Sequence, residues 1–304
     1  MNRRTFLLTG SSALALPRFG LAAAGPARAR VAVVKNDLAI DDRDRADPAE
    51  CRRSVKAALA LLTGKQDEKS AWKALGLAPS DVVAVKVNCN NTFFPLKTHP
   101  ALVYAVCESL RTMVPSGNII IYERYTWELE EAGYGQNRGF SCLGTDSGNG
   151  FHKKSWITRI ITDRATKIIH MPTLKYIGNG FQAVLFIKDH IGSIIPSEMP
   201  SCHGNEMVCT RLLADPAIRG KNLLNICDGL RGTFEMRRPW FFKGIIASAD
   251  PVAAEVACLK ALTDKRASEG LAPALVNDHV IKADRDFTLG CAEWEKIEVV
   301  EKSL

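Results

Sequence analysis

The chain has 304 residues, of which 46% are apolar and 24% charged, and a formal net charge of +7. That balance is ordinary for a globular protein and excludes a disordered or fibrous chain. The basic excess is modest, and no dense Lys/Arg run is interleaved with aromatics, so nucleic acid is excluded as the main partner.

The opening residues, MNRRTFLLTG, set Arg3 and Arg4 ahead of Phe6, Leu7 and Leu8, and SSALAL carries the apolar character to Leu16. The apolar stretch is about 12 residues, short of the roughly 20 that a helix needs to cross a bilayer. A permanent membrane span is therefore not expected. NRRTFLL resembles a twin-arginine export signal. Cleavage is expected after Ala24, with a second AxA pattern ending at Ala29. Residues 1–24 then form the signal, and residues 25–304 a single domain. Loss of Arg3, Arg4 and Arg18 lowers the charge from +7 to +4. The resemblance implies the export machinery as a partner and the periplasm as the location. Because that route carries folded proteins, it also hints at a cofactor or metal cargo, whose identity is unknown.

Nine cysteines, at 51, 89, 107, 142, 202, 209, 227, 258 and 291, include no CxxC pair. The spacing argues against an iron–sulfur cluster, and the odd count leaves at least one thiol unpaired in any disulfide scheme. Cys107, Cys227 and Cys258 lie in apolar runs and read as buried small hydrophobes.

In chain order, ARVAVV (29–34) reads as a strand. DPAECRRSVKAALALLTG reads as a helix, with Pro48 at its start and Gly64 at its end. DVVAVKVN is a second strand, THPALVYAVCESLRTMV a helix opened by Thr98 and Pro100, and NIIIYER a third strand. TWELEEAGYG suggests a helix, and GTDSGNG a loop. KIIHMP, AVLFIK and NLLNICD read as further strands, DPVAAEVACLKAL as a helix and KIEVVE as a closing strand. The alternation predicts an α/β fold with a mostly parallel or mixed sheet covered by helices, in Rossmann-like layering.

Several of these strands end in charge. Lys86 and Asn88 close DVVAVKVN, Lys175 follows KIIHMP, Lys188 and Asp189 close AVLFIK, and Asp228 closes NLLNICD. A buried ammonium must reach solvent, a carboxylate or an anionic ligand. Three lysines at strand ends therefore point to one shared rim, with Asp228, Asp189 and Asp250 as candidate partners. His203, in the Gly-flanked turn PSCHGNE beside Cys202 and Glu206, is a candidate for proton transfer or metal ligation. His99 reads as a helix-entry residue and His170 as a satisfied core histidine. Asp250 reads as a helix cap before Pro251, and Glu255 lies one turn further along a face compatible with the rim.

VVAVKVN, THPALVYAV, NIIIYER, IIHMPTLK, the apolar run ending in Lys188, the His203 loop, NICDGLRG and ASADPVAAE resemble, in order and spacing, the domain of unknown function 362 family. The resemblance spans the mature chain. It implies an α/β protein of the subset with twin-arginine signals and without an appended ferredoxin segment. The sequence departs from the family pattern at Tyr176 and Ile177, where a polar residue and a histidine are usual, at Asp189 in place of Asn, and at Glu255 in place of Asp.

The expected function is that of a periplasmic enzyme or cofactor-dependent protein holding a small anionic ligand. Lys86, Asn88, Lys175, Lys188, Asp250 and Glu255 would line the rim, with Lys175, Lys188, His203 and Asp228 in chemistry. His203 and Asp228 are the metal candidates. The alternative is a non-catalytic carrier of a metal or redox partner.

Overall fold

Asp47 and Gly64 show how local sequence sets the element boundaries. The Asp47 carboxylate accepts from the N–H groups of Ala49 and Glu50 at 2.8 and 2.9 Å, Pro48 takes the first helical position, and Gly64 ends the helix at φ 69°. Each device satisfies or removes an orphan backbone group. The computed structural model describes residues 29–90, 96–135, 139–146, 150–151, 155–178, 183–195, 207–274 and 276–304. The expected export signal with Arg3 and Arg4, and the loop of Cys202, His203 and Glu206, lie outside the described residues.

The elements are β1 (Ala29–Lys35), α1 (Pro48–Thr63), α2 (Glu68–Ala74), β2 (Val83–Val87), α3 (Pro100–Leu110), β3 (Ile119–Glu123), α4 (Thr126–Ala132) and β4 (Ser141–Gly144). They continue with β5 (Lys167–Met171), β6 (Thr173–Tyr176), β7 (Ala183–Val184), α5 (Phe186–Asp189), α6 (Met207–Leu213) and α7 (Pro216–Arg219). Then come β8 (Asn222–Glu235), β9 (Arg238–Trp240), β10 (Gly244–Ser248), α8 (Pro251–Ser268), α9 (Asp278–Arg285) and β11 (Ile297–Ser303).

Among the described residues, one mixed sheet of eleven strands runs in the order β11-β1-β10-β8-β5-β2-β3-β4, with β6 and β9 pairing to β8 and β7 to β6. Strands β8, β5, β2, β3 and β4 are parallel neighbours, and β10 runs antiparallel between β8 and β1. The expected α/β class with layered helices is therefore observed. The strand β1 lies far from β2, because β10, β8 and β5 come between them.

The apolar strands serve two cores. In β2, Val83, Val85 and Val87 pack with α1, α2, α3 and α4, whereas Ala84 packs on the other face with α5, α6, α8 and α9. Strands covered on both faces are near-continuous apolar runs for this reason. Among the described residues no helix is long and apolar enough to cross a membrane. Cys107, Cys227 and Cys258 are buried, as expected.

Three strand assignments are corrected. AVLFIK forms only the two-residue β7, and the chain then turns into α5, so Lys188 and Asp189 lie on a helical turn. Lys175 belongs to a separate strand, β6, rather than to the end of β5. NLLNICD does not end at Asp228, because β8 continues to Glu235.

Candidate functional site

A row of polar residues crosses the sheet on the α8 face. Tyr122 of β3 is in register with Lys86 of β2, Lys86 with His170 of β5, His170 with Asn225 of β8, and Asn225 with Ser248 of β10. None of the five is more than 1% exposed. All five are polar groups enclosed in the sheet, and each must find partners inside the protein.

Lys86 finds carboxylates. Its Nζ donates to Glu123 Oε1 at 2.8 Å and to the Val87 carbonyl at 2.6 Å, and lies 3.6 Å from Asp189 Oδ1. Burial alone would lower its pKa, but Asp189 and Glu123 outweigh burial and hold the ammonium above its ordinary range. Glu123 also accepts from the Cys89 N–H at 2.9 Å and the Arg124 N–H at 2.8 Å. A Cβ on Gly192 would fall 2.2 Å from Glu123 Oε1, so the turn after α5 can cover this pair only with glycine.

Beside the pair runs a chain of hydrogen-bonding groups. Tyr122 Oη is 3.0 Å from Ser193 Oγ, Ser193 Oγ 3.1 Å from His190 Nδ1, and His190 Nε2 3.2 Å from His170 Nε2. Burial, with His170 and Lys86 acting in the same sense, pushes His190 well below the usual histidine range. The chain is satisfied when the tyrosine donates to the serine, the serine to His190 Nδ1, and His190 Nε2–H to His170 Nε2. His170 then carries its proton on Nδ1, which points at Asp189 Oδ2 from 3.6 Å. His170 is thus not the satisfied core histidine expected from KIIHMP, because its Nδ1 has no hydrogen-bond partner.

The rim is a half-open cavity of about 60 Å³. Lys86, Asn88, Glu123, Arg124, Lys188 and Asp189 are among the residues that line it. Lys175 of β6 stands behind the lining and donates to two of its residues, Asn88 Oδ1 and the Asn90 carbonyl, each at 3.3 Å. Both acceptors are amide carbonyls, not carboxylates. Burial lowers the Lys175 pKa to about 8, with Glu123 and Cys89 opposing and the nearby Lys188 ammonium adding to the shift. Lys86, Lys175, Lys188 and Asn88 are therefore brought together, as the sequence suggested. Their carboxylates are Glu123 and Asp189. Asp228 and Asp250 take no part.

Asp228 instead faces the α3 side of the sheet. Its Oδ2 accepts from His99 N at 2.7 Å and lies 2.8 Å from His99 Nδ1, and its Oδ1 accepts from Leu230 N at 3.0 Å. His99 Nε2 is 3.2 Å from Asp44, which in turn pairs with Arg231 at 2.9 Å. Burial acts to lower the His99 pKa, but Asp228 and Asp44 raise it to about 10. His99 is thus an ion-paired clamp between α3, β8 and the β1–α1 loop, and the helix-entry reading is incomplete.

Asp250 lies at the opposite, starting edge of the parallel strands, next to β8's first residue: Asn222 Nδ2 donates to the Ala249 carbonyl at 3.0 Å. It caps α8 through Val252 N and Ala253 N and accepts from Cys291 N, each at 2.9 Å. Glu255 is buried behind α5, accepting from Ile187 N at 3.1 Å, and does not line the rim cavity. Both are structural, which corrects their expected place on the rim. Among the described residues no group of three or more His, Cys, Asp or Glu is arranged to hold a metal ion.

Glu123, His170, His190 and Ser193 were not foreseen as members of the site. The signal available for His170 was a polar residue at the fourth position of each of VAVKV, IIIYE and KIIHM. No model of a known protein family matches the chain, and no curated protein matches it.

Proposed function

We propose that this chain is an exported member of the domain of unknown function 362 family that binds a small anionic ligand at the Lys175–Lys188 rim. There it acts as a periplasmic enzyme or cofactor-dependent protein. The observation that carries the reading is Lys175 itself, bonded to Asn88 and Asn90 on the wall of the cavity and depressed in part by the adjacent Lys188. An anion between two ammonium groups relieves their repulsion and supplies the acceptors that carbonyls provide only weakly. An amine that titrates near pH 8 can also give or take a proton in the working range. Lys86 is committed to Glu123 and Asp189 and serves as the fixed floor of the site.

The family resemblance supports the same residues, because VVAVKVN and IIHMPTLK supply Lys86, Asn88 and Lys175. His203 keeps its proposed role in proton transfer. The alternative, a non-catalytic carrier of a metal or redox partner through His203 and Asp228, is weaker, since both Asp228 oxygens already accept from His99 and Leu230.

Thermal unfolding with added phosphate or malonate tests the binding reading. The wild-type midpoint is expected to rise, and Lys175→Ala and Lys188→Ala to lose the rise; unchanged shifts in both variants dispose of it. Export is tested by Arg3→Lys with Arg4→Lys, which is expected to leave the full-length precursor in the cytoplasm.

A further inference from the structure

Asp189 is the least satisfied group of the rim. Its side chain is fully buried, and it lines the cavity. Neither of its oxygens has a hydrogen-bond donor, and the nearest cation and the nearest imidazole nitrogen both stand 3.6 Å away. A buried carboxylate normally accepts several hydrogen bonds, and one left without them costs more than the attraction of a cation at that distance returns. The neighbouring groups are fixed elsewhere. Lys86 is drawn to Glu123 and the Val87 carbonyl, and His170 is held through His190 and Ser193.

We infer that Asp189 receives a hydroxyl or ammonium hydrogen from the bound molecule, so that the ligand is a small hydroxy- or amino-substituted carboxylate rather than a plain anion. This rests on the anion-binding reading above. Lys188 and Asp189 both line the cavity and Lys175 donates to its Asn88 and Asn90, so the two ammonium groups take the anionic group and Asp189 the donor on the adjacent carbon. A hydrogen bond to an ionised acceptor in an enclosed site is shorter and stronger than a neutral one.

The test compares malonate with tartronate, which differ by one central hydroxyl, by calorimetric titration of the mature protein. Tartronate is expected to bind about tenfold more tightly to the wild type, and Asp189→Ala to reduce that preference to below about twofold. Asp189→Asn, which keeps the side-chain shape, is expected to fall between them. Equal affinities in the wild type overturn the inference and leave the anion site standing. A preference that survives Asp189→Ala overturns the assignment to Asp189. Binding of neither compound overturns both this inference and the reading it rests on.

Discussion

Lys86 Nζ stands 2.8 Å from Glu123 Oε1, with 1% and 4% of the two side chains exposed. The pair ties β2 to β3 beneath the rim, and Asp189 adds a second carboxylate 3.6 Å from the ammonium. Removing one partner of a buried pair leaves an uncompensated charge and costs about 3–5 kcal/mol. Lys86→Met strands two carboxylates, whereas Glu123→Gln leaves Lys86 with Asp189. Urea unfolding is expected to show the lysine variant as the less stable of the two. Equal and small losses, under about 1 kcal/mol, would mean that the pair contributes nothing beyond solvent-like screening.

Glu255 predicts a pH effect of definite sign. Burial raises its pKa from 4.5 to about 8, against the Phe186 and Ile187 N–H groups, with Asp189 a smaller contributor in the raising direction. A raised carboxyl contributes stability that is complete below the unfolded value and is lost as pH climbs through the folded one. Stability should decline between pH 4.5 and about 8 on this account. Glu255→Gln is expected to flatten that window and to be more stable than the wild type above it; chemical denaturation at a series of pH values reads the difference.

His99 acts in the same sense at higher pH. Burial opposes its charge, but Asp228 and Asp44 raise its pKa from 6.5 to about 10. Its contribution is full below 6.5 and is lost as pH rises to about 10. Each bound proton is worth about 1.4 kcal/mol per pH unit in this range. His99→Gln should remove this slope and loosen the Asp41–Arg45 loop, which hydrogen exchange of the Asp44 and Arg45 amides would detect.

Lys175 sets the pH dependence of ligand binding. It is charged below a pKa of about 8 and neutral above it. Malonate affinity is expected to be level below that point and to fall about tenfold per pH unit beyond it. Lys175→Met should bind more weakly at pH 7 and lose the inflection. A wild-type profile that is flat to pH 9 excludes Lys175 from the site.

The sheet was legible because β2, β3, β5 and β8 are apolar runs and because Pro48, Pro100 and Pro251 open helices in the expected places. The rim lysines were legible for the same reason, since Lys86 breaks an apolar strand and has to be explained. Their partners were not. Glu123 stands in the strand NIIIYER with nothing local to mark its partner, and it is the parallel register of β2 and β3 that sets Lys86 against Tyr122 and so one residue from Glu123. Lys188 read as a strand residue because AVLFIK is apolar, whereas the helical turn there is held by Glu255, 68 residues away from Ile187. Asp228 read as a strand end because Gly229 follows it. The strand continues because Gly232 allows close approach: a Cβ there would fall 2.3 Å from the Leu174 carbonyl oxygen of β6. Its histidine partner is 129 residues distant. Contacts of that separation leave no local pattern in a sequence.

The convergence of Lys175 and Lys188 on one anion is tested most directly by soaking crystals with selenate and mapping its anomalous signal. A peak within hydrogen-bonding reach of both amines, lost in Lys175→Met, is the expected result. A saturated crystal with selenate only on exposed surface lysines, and none between these two, would contradict the account.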